Sequence, residues 1–106
     1  MREIERQLIE AIEANKPFHK GNTMYDAESR RVYLHGNHIA TLSEVWRKGP
    51  ELNYSFAGWR TQTTTSRINA IIDWWASKTG TKPYRVRRSD PAVVLNPHKW
   101  FVAGEV

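Results

Sequence analysis

The chain has 106 residues, 40% of them hydrophobic, which is enough to build one small core and predicts a single domain over residues 1–106. It contains no cysteine, which excludes disulfides, thiolate metal sites and cysteine nucleophiles. The formal net charge is +5: residues 1–56 hold eight basic and eight acidic side chains, and residues 57–106 hold eight basic and three acidic ones. This basic C-terminal half favours an acidic partner, of which nucleic acid is the most common. A merely solubilising charge is the alternative.

The sequence carries no pattern typical of export or membrane insertion. Residues 1–16 are charged and amphipathic, unlike a signal peptide, and no apolar run approaches membrane-spanning length. We therefore expect a cytoplasmic protein.

The first predicted element is an amphipathic helix over residues 2–15. Its apolar face consists of Ile4, Leu8, Ala11 and Ile12. Lys16 and Pro17 form a stop signal. A connector at 18–22, a short strand from Thr23 and a turn at 26–30 follow.

The clearest predicted hairpin has strands at 31–35 and 38–42 joined by a Gly36-Asn37 turn. This turn makes His35 and His38 direct cross-strand neighbours. It also assigns Val32, Leu34, Ile39 and Thr41 to the core side. Two neighbouring imidazoles can hold a metal, but a zinc site needs three or four ligands. His19 and His98 fall in separate loops, so we predict ordinary surface histidines and no metal site.

The second strand of this hairpin is predicted to end before Gly49-Pro50, in a loop or bulge that contains Trp46, Arg47 and Lys48. A further strand alternates Leu52, Tyr54 and Phe56 with polar residues. A second helix is predicted from about 66 to 79, because its apolar residues recur at helical spacing and Gly80 is a natural stop. Those apolar residues are Ile68, Ile71, Ile72, Trp75 and Ala76.

The tail has β-like patterning at 84–88, 92–95 and 99–103, separated by turns at Ser89-Asp90-Pro91 and Asn96-Pro97. The predicted fold class is therefore α+β. It comprises an N-terminal helix, an antiparallel meander of three to four strands, a second amphipathic helix and a short C-terminal β extension, with the helices against one face of the sheet.

The candidate site is a set of basic and aromatic residues in the C-terminal half. Its members are Trp59, Arg60, Arg67, Lys82, Tyr84, Arg85, Arg87 and Arg88. Arg60 and Arg67 flank a hydroxyl-rich helix start that could receive an anion, and Trp59 or Tyr84 could stack on unpaired bases. In the alternative interpretation the threonines only cap the helix, Trp59 and Tyr84 pack inward, and the arginines are solvated. Trp46, Trp74 and Trp100 are expected in a core or an interface.

The sequence has no hydrolase motif and no glycine-rich phosphate loop, so we predict a non-enzymatic binding protein without a cofactor. Nucleic acid, DNA or RNA, is the first predicted partner. The alternative is a host protein, with this chain as an inhibitor or modulator that uses exposed tryptophans and a face carrying Tyr33, His35 and His38. A metal-dependent enzyme around the histidines is a third hypothesis.

Two resemblances accompany this interpretation. The α-β-β-β-α order through Lys78 is similar to the double-stranded-RNA-binding domain, but the lysine-rich signature of that family is absent, and residues 64–69 read TTSRIN. Three phrases, GNT at 21–23, LHGNHIA at 34–40 and GWRTQTTTSRIN at 58–69, resemble a group of small tailed-phage proteins of unassigned function. The second resemblance covers roughly residues 20–70 and implies a viral accessory protein that works in a bacterial cytoplasm, including in host takeover.

Overall fold

An antiparallel sheet with two helices packed on it forms most of the protein. The structure is a computed structural model that describes residues 2–45 and 49–104. The elements are α1 (Glu3–Ala14), β1 (Phe18–Lys20), β2 (Thr23–Asp26), β3 (Arg31–Leu34), β4 (Asn37–Val45), β5 (Gly49–Tyr54), α2 (Gln62–Thr79), α3 (Pro91–Leu95) and β6 (Phe101–Val102). The strands lie in chain order, β1-β2-β3-β4-β5-β6. The predicted α+β class and meander are confirmed.

The number of strands was underestimated. Five strands precede α2 where three or four are predicted, because β1 occupies the predicted connector, and β6 corresponds to the predicted C-terminal β extension. Five strands separate α1 from α2, so the predicted α-β-β-β-α order is wrong. Gly49 and Pro50 begin β5 and pair with Val45 and Glu44, so they do not form the predicted break. Trp46, Arg47 and Lys48 lie outside the described residues.

The β3–β4 hairpin turns one residue earlier than predicted. Its two turn residues are His35 and Gly36, with φ angles of 51° and 78°, and two consecutive positive φ angles are what a tight hairpin turn of this kind requires. Asn37 therefore belongs to the strand and faces Leu34, and His38 faces Tyr33. The predicted pairing of His35 with His38 is wrong.

A register shift between Val32 and Tyr33 also changes which residues enter the core. The irregularity buries two consecutive residues of β4, Ile39 and Ala40. Beyond the irregularity the burial pattern of β4 is the reverse of the predicted one: Thr41, predicted on the core side, is half-buried, whereas Leu42 is buried.

Both helices pack against the same face of the sheet and against each other. Helix α1 contacts β1 and β2, and α2 contacts β4 and β5. The core contains Leu8 and Ile12 from α1, Ile68, Ile71, Ile72 and Trp75 from α2, and Val32, Leu34, Ile39, Leu42, Leu52 and Tyr54 from the sheet. The predicted apolar stripes of both helices and of β5 are confirmed.

Helix α2 begins at Gln62, four residues before the predicted start. Thr61 is the N-cap residue, and its Oγ1 accepts a hydrogen bond of 3.1 Å from the backbone N–H of Thr64. The first turn is hydroxyl-rich and contributes no large apolar residue, so apolar periodicity does not reveal it. The predicted stop is confirmed: Gly80 ends the helix with a φ of 69°.

The tail is only partly β-structured. The predicted strand at 84–88 has no regular secondary structure, and the predicted strand at 92–95 is instead the short helix α3. That helix forms because Asp90 caps the N–H of Ala92 at 2.9 Å and Pro91 occupies the first turn. The closing strand is confirmed in a shorter form, with Phe101 paired to Tyr54.

A buried ion pair joins the two helices. The Arg67 guanidinium lies 2.6 Å from the Glu5 carboxylate, and both residues are almost completely buried. Glu5 also accepts a hydrogen bond of 2.5 Å from Ser66, and Arg67 donates one of 3.1 Å to Thr23 in β2. Burial alone raises the pKa of Glu5, but hydrogen bonds from Ser66, Arg67 and the Arg2 backbone outweigh it and leave that pKa below its ordinary value.

Within the described parts of the chain, none of the helices combines the length and the apolar character needed to cross a bilayer.

We predict that Glu5→Gln lowers the free energy of unfolding by about 3 kcal/mol or more, because it leaves the Arg67 charge buried and unpaired. Urea unfolding at neutral pH measures this loss. Glu10→Gln is the control, since Glu10 pairs with Arg6 on the exposed side of α1 and its loss is expected to be much smaller. Equal losses in the two variants would contradict the prediction.

The same carboxylate predicts an acid-dependent loss of stability. The pKa of Glu5 is lower in the folded than in the unfolded chain, so its contribution is present above the unfolded value of about 4.3 and is lost as the pH falls through the folded value. Unfolding measured from pH 7 down to pH 3 should therefore show a shallower decline in Glu5→Gln than in the parent chain. A parallel decline would assign the acid sensitivity to other carboxylates.

Candidate nucleic-acid interface

Residues 84–89 run back along α2 and leave a groove of about 910 Å³ beside the helix. One wall is a stripe at helical spacing on α2 that includes Gln62, Ser66, Asn69 and Asp73. Four exposed arginines also line the groove. We call this feature the cationic groove, and its arginines are Arg2, Arg85, Arg87 and Arg88.

Asn69 holds the arginine-bearing segment in place. Its side-chain oxygen accepts a hydrogen bond of 2.9 Å from the backbone N–H of Val86, and its amide donates one of 3.2 Å to the Val86 carbonyl. Asn69 is buried, and Val86 packs against the core. The Asn69 side chain thus makes the two backbone hydrogen bonds that a neighbouring β-strand would otherwise make with Val86. Arg85 and Arg87, on either side of Val86, remain exposed.

Positive charge dominates the groove. Of its two carboxylates, Glu5 is buried and compensated by Arg67. Asp73 lies 3.7 Å from Arg85 in an exposed pair, which holds the arginine only weakly. Arg60 extends the cationic surface, because its Nη1 donates a hydrogen bond of 3.0 Å to the carbonyl oxygen of Arg88.

The structure brings half of the predicted set together. Arg85, Arg87 and Arg88 line the groove, and Arg60 adjoins it. The predicted surface position of Arg67 is wrong: it is 3% exposed, since its charge is compensated by Glu5 rather than by solvent or a phosphate. Lys82 is exposed but is not one of the residues that line the groove.

The two predicted stacking residues have different environments. Tyr84 is half-buried against the core, and its hydroxyl lies 3.1 Å from the Tyr54 hydroxyl. Burial raises the pKa of Tyr54 well above its usual range, so the Tyr54 hydroxyl stays protonated at neutral pH. Trp59 is 57% exposed and accessible to a partner.

Trp59 also lines a second pocket, of about 220 Å³. This Trp59 pocket is lined by Leu34, His35, Asn37, Ile39, Trp59, Thr61, Thr63 and Thr64. Two left-handed residues, Ala57 and Gly58, precede the tryptophan and direct the chain outward. Gly58 donates a hydrogen bond of 2.8 Å to the Pro97 carbonyl and packs directly against the His98 ring.

The sheet surface opposite the helices carries a row of rings. The Tyr33 and His38 ring centroids are 5.5 Å apart, and those of His38 and Trp100 are 4.6 Å apart. His38 Nε2 lies 2.6 Å from the Thr41 hydroxyl. Burial, together with the positive charge of Arg31, lowers the pKa of His38. Over residues 2–45 and 49–104, no group of three or more histidines and carboxylates is placed to hold a metal ion.

Sequence reasoning missed Arg2 and Asn69 as parts of the groove. The sequence does contain an indication for Asn69, because it is a polar residue directly beside the apolar stripe at Ile68, Ile71 and Ile72. It contains none for Arg2, since only the fold brings the start of α1 beside residues 85–89.

The Kyanoviridae Gp96 protein family matches residues 1–105. The chain belongs to this family. The predicted resemblance to small tailed-phage proteins is confirmed, and it extends over nearly the whole chain rather than residues 20–70 alone. No curated protein and no solved structure matches the chain.

We predict that Gly58→Ala destabilises this Gp96-family protein more than Gly21→Ala does. Both glycines have positive φ angles, so both substitutions introduce backbone strain. A Cβ at 58 would also lie 2.6 Å from the His98 ring, whereas a Cβ at 21 meets no atom within 4 Å. Thermal unfolding should show a further loss of about 1 kcal/mol at position 58.

Adding His98→Ala to Gly58→Ala identifies the source of that further loss. The double variant should recover to the level of Gly21→Ala, because the ring that opposes the new Cβ is gone. Equal destabilisation by the two single glycine variants would mean that His98 moves aside without cost.

Proposed function

We propose that this phage accessory protein binds nucleic acid through the cationic groove, as a binding protein rather than an enzyme. The observation that carries the proposal is the placement of Arg85, Arg87 and Arg88 along α2, with Arg2 beside them and Arg60 at the end. These arginines come from distant parts of the sequence and lie on one surface. The sequence pattern alone does not determine whether they share a surface.

The chemistry of the groove suits a phosphate backbone. Each guanidinium is planar, permanently charged and able to donate two parallel hydrogen bonds to a phosphate. The groove is open, so it can accept an extended strand or the edge of a duplex without enclosing it. Phages depend on phage and host nucleic acids within the bacterial cytoplasm, and we propose that the protein acts there.

Binding of a host protein is a second candidate, supported by the exposed ring cluster. Trp100 is 43% exposed and Met24 is 36% exposed, and Tyr33 and His38 lie among the rings of the same sheet surface. Partly exposed aromatic and methionine side chains are typical anchors of protein interfaces. Such binding depends on apolar contact and should respond weakly to salt, unlike binding in the groove.

We predict that the double variant Arg85→Ala/Arg87→Ala weakens binding of DNA or RNA oligonucleotides and reduces its salt dependence. Each phosphate contact that is lost should lower the slope of log affinity against log salt by about 1. Fluorescence anisotropy with a labelled oligonucleotide between 20 and 200 mM salt, roughly the range in which phosphate contacts weaken most, measures both changes.

Lys16→Ala is the control for net charge. Lys16 is an exposed cation just beyond the end of α1 opposite Arg2, so its removal should leave the slope unchanged. If the parent chain binds no oligonucleotide at the lowest salt, the nucleic-acid proposal is wrong and the protein-partner candidate takes its place.

We further predict that Asn69→Ala weakens oligonucleotide binding although it removes no charge. The two hydrogen bonds to Val86 are lost, so the segment that carries Arg85 and Arg87 is no longer held against α2. Removing both should also lower the free energy of unfolding by about 2 kcal/mol. Binding is therefore measured at a temperature at which circular dichroism shows the variant to be folded.

Asn53→Ala provides the matched control. Asn53 lies in β5 and bonds to Glu51, away from the groove, so the same substitution there should not change affinity. Full affinity in folded Asn69→Ala would show that the arginines need no fixed backbone, and it would remove Asn69 from the proposed interface.

A further inference from the structure

The Trp59 pocket has the composition of a site for a flat ring. Leu34 and Ile39, both buried, supply an apolar lining from the sheet. Trp59 and His35 contribute aromatic surfaces, and Asn37, Thr61 and Thr63 contribute polar groups. At about 220 Å³, the pocket is smaller than the sites that hold drug-sized ligands and suits a single ring system.

Two non-glycine residues with left-handed backbone lie in or near this pocket. Of the four non-glycine residues with positive φ within the described ranges, His35 has a φ of 51° and Ala57, two residues before Trp59, has a φ of 53°. Such a conformation is costly for residues with a Cβ, and it concentrates at ligand-binding sites. His35 is further fixed by Asn22, whose carbonyl accepts a hydrogen bond of 2.7 Å from its backbone N–H.

The pocket adjoins the cationic groove through one short segment. Trp59 and Thr61 line the pocket, Gln62 lines the groove, and Arg60 between them bonds to the backbone of the groove residue Arg88. Arg60 therefore connects the cationic groove to the Trp59 pocket. The arginines of the groove suit the phosphates of a nucleic acid, and the aromatic pocket has room for one of its bases.

We propose that the Trp59 pocket binds an unstacked nucleobase, which makes single-stranded nucleic acid the preferred ligand of this protein. The base stacks on Trp59, reaches Leu34 and Ile39 with its edge, and meets the polar groups of Asn37 and Thr63. A duplex keeps its bases paired and cannot fill the pocket without first unstacking one. This inference rests on the proposed function of the groove and adds the class of nucleic acid that it binds.

The test compares three labelled probes by fluorescence anisotropy at low salt. They are a thymidine oligonucleotide, an abasic oligonucleotide of the same length, and the duplex of the first with its complement. The abasic probe has the same phosphates but no ring to place in the pocket. The proteins are the parent chain, Trp59→Ala, Trp100→Ala and Arg85→Ala/Arg87→Ala. Trp100→Ala is the matched control, because it removes a partly exposed tryptophan on the outer sheet surface.

We expect the parent chain to bind the thymidine probe roughly tenfold or more tightly than the abasic one, as one stacked base allows. Trp59→Ala should abolish this difference and leave abasic binding intact, whereas Trp100→Ala should preserve it. If Trp59→Ala retains the full preference, or if all three probes bind the parent chain equally, the pocket receives no base. In that case, a loss of binding in the double arginine variant still supports the groove. Failure of the parent chain to bind any probe overturns both proposals.

Discussion

The buried contact between Glu5 and Arg67 sets the geometry on which the rest of the molecule depends. Removing two charges from water costs several kcal/mol for each ion, so the pair is tolerated only because its polar groups are satisfied. Ser66, Arg67 and the Arg2 backbone all donate to the carboxylate, and Arg67 also bonds to Thr23. These bonds connect α1, α2 and β2 at one point inside the fold.

This contact also fixes the rotation of α2 about its axis. With Arg67 directed inward, Ser66 and Asn69 come to lie along the wall of the cationic groove. Asn69 then holds Val86, and Val86 positions the arginines on either side of it. The buried charge pair and the exposed arginines at 85 and 87 are therefore linked through a short stretch of one helix.

Sequence periodicity predicted those parts of the fold that depend on local apolar spacing. The stripe from Ile68 to Ala76 indicates a helix because nothing else explains spacing of three and four residues, and Gly80 ends it as expected. Local apolar spacing does not determine the register of the β3–β4 hairpin. Gly36-Asn37 and His35-Gly36 are both acceptable turns, and tertiary packing chooses between them together with the irregularity at Val32. Strand β1, which occupies the predicted connector, has only three residues and is too short to show a period.

The site was predictable in its charge but not in its construction. Counting charges alone locates the basic excess in the C-terminal half. In the structure, exposed Arg85 and Arg87 alternate with half-buried Tyr84 and Val86, although the predicted strand does not form. The burial of Arg67 could not be predicted from the sequence, since its partner Glu5 lies 62 residues away along the chain. An arginine beside an apolar stripe is usually solvated, and only a carboxylate brought by another helix makes its burial favourable.

The segment from Ala57 to Thr61 is where the two candidate surfaces meet. Ala57 and Gly58 both have left-handed backbone, and Trp59, which follows them, is 57% exposed. At its end, Thr61 caps α2 and so anchors the segment to the helix whose position the buried ion pair sets. Arg60 bridges the gap to Arg88. Both candidate surfaces therefore depend on the position of α2, because one short turn carries the exposed ring of Trp59 and the guanidinium that contacts the groove.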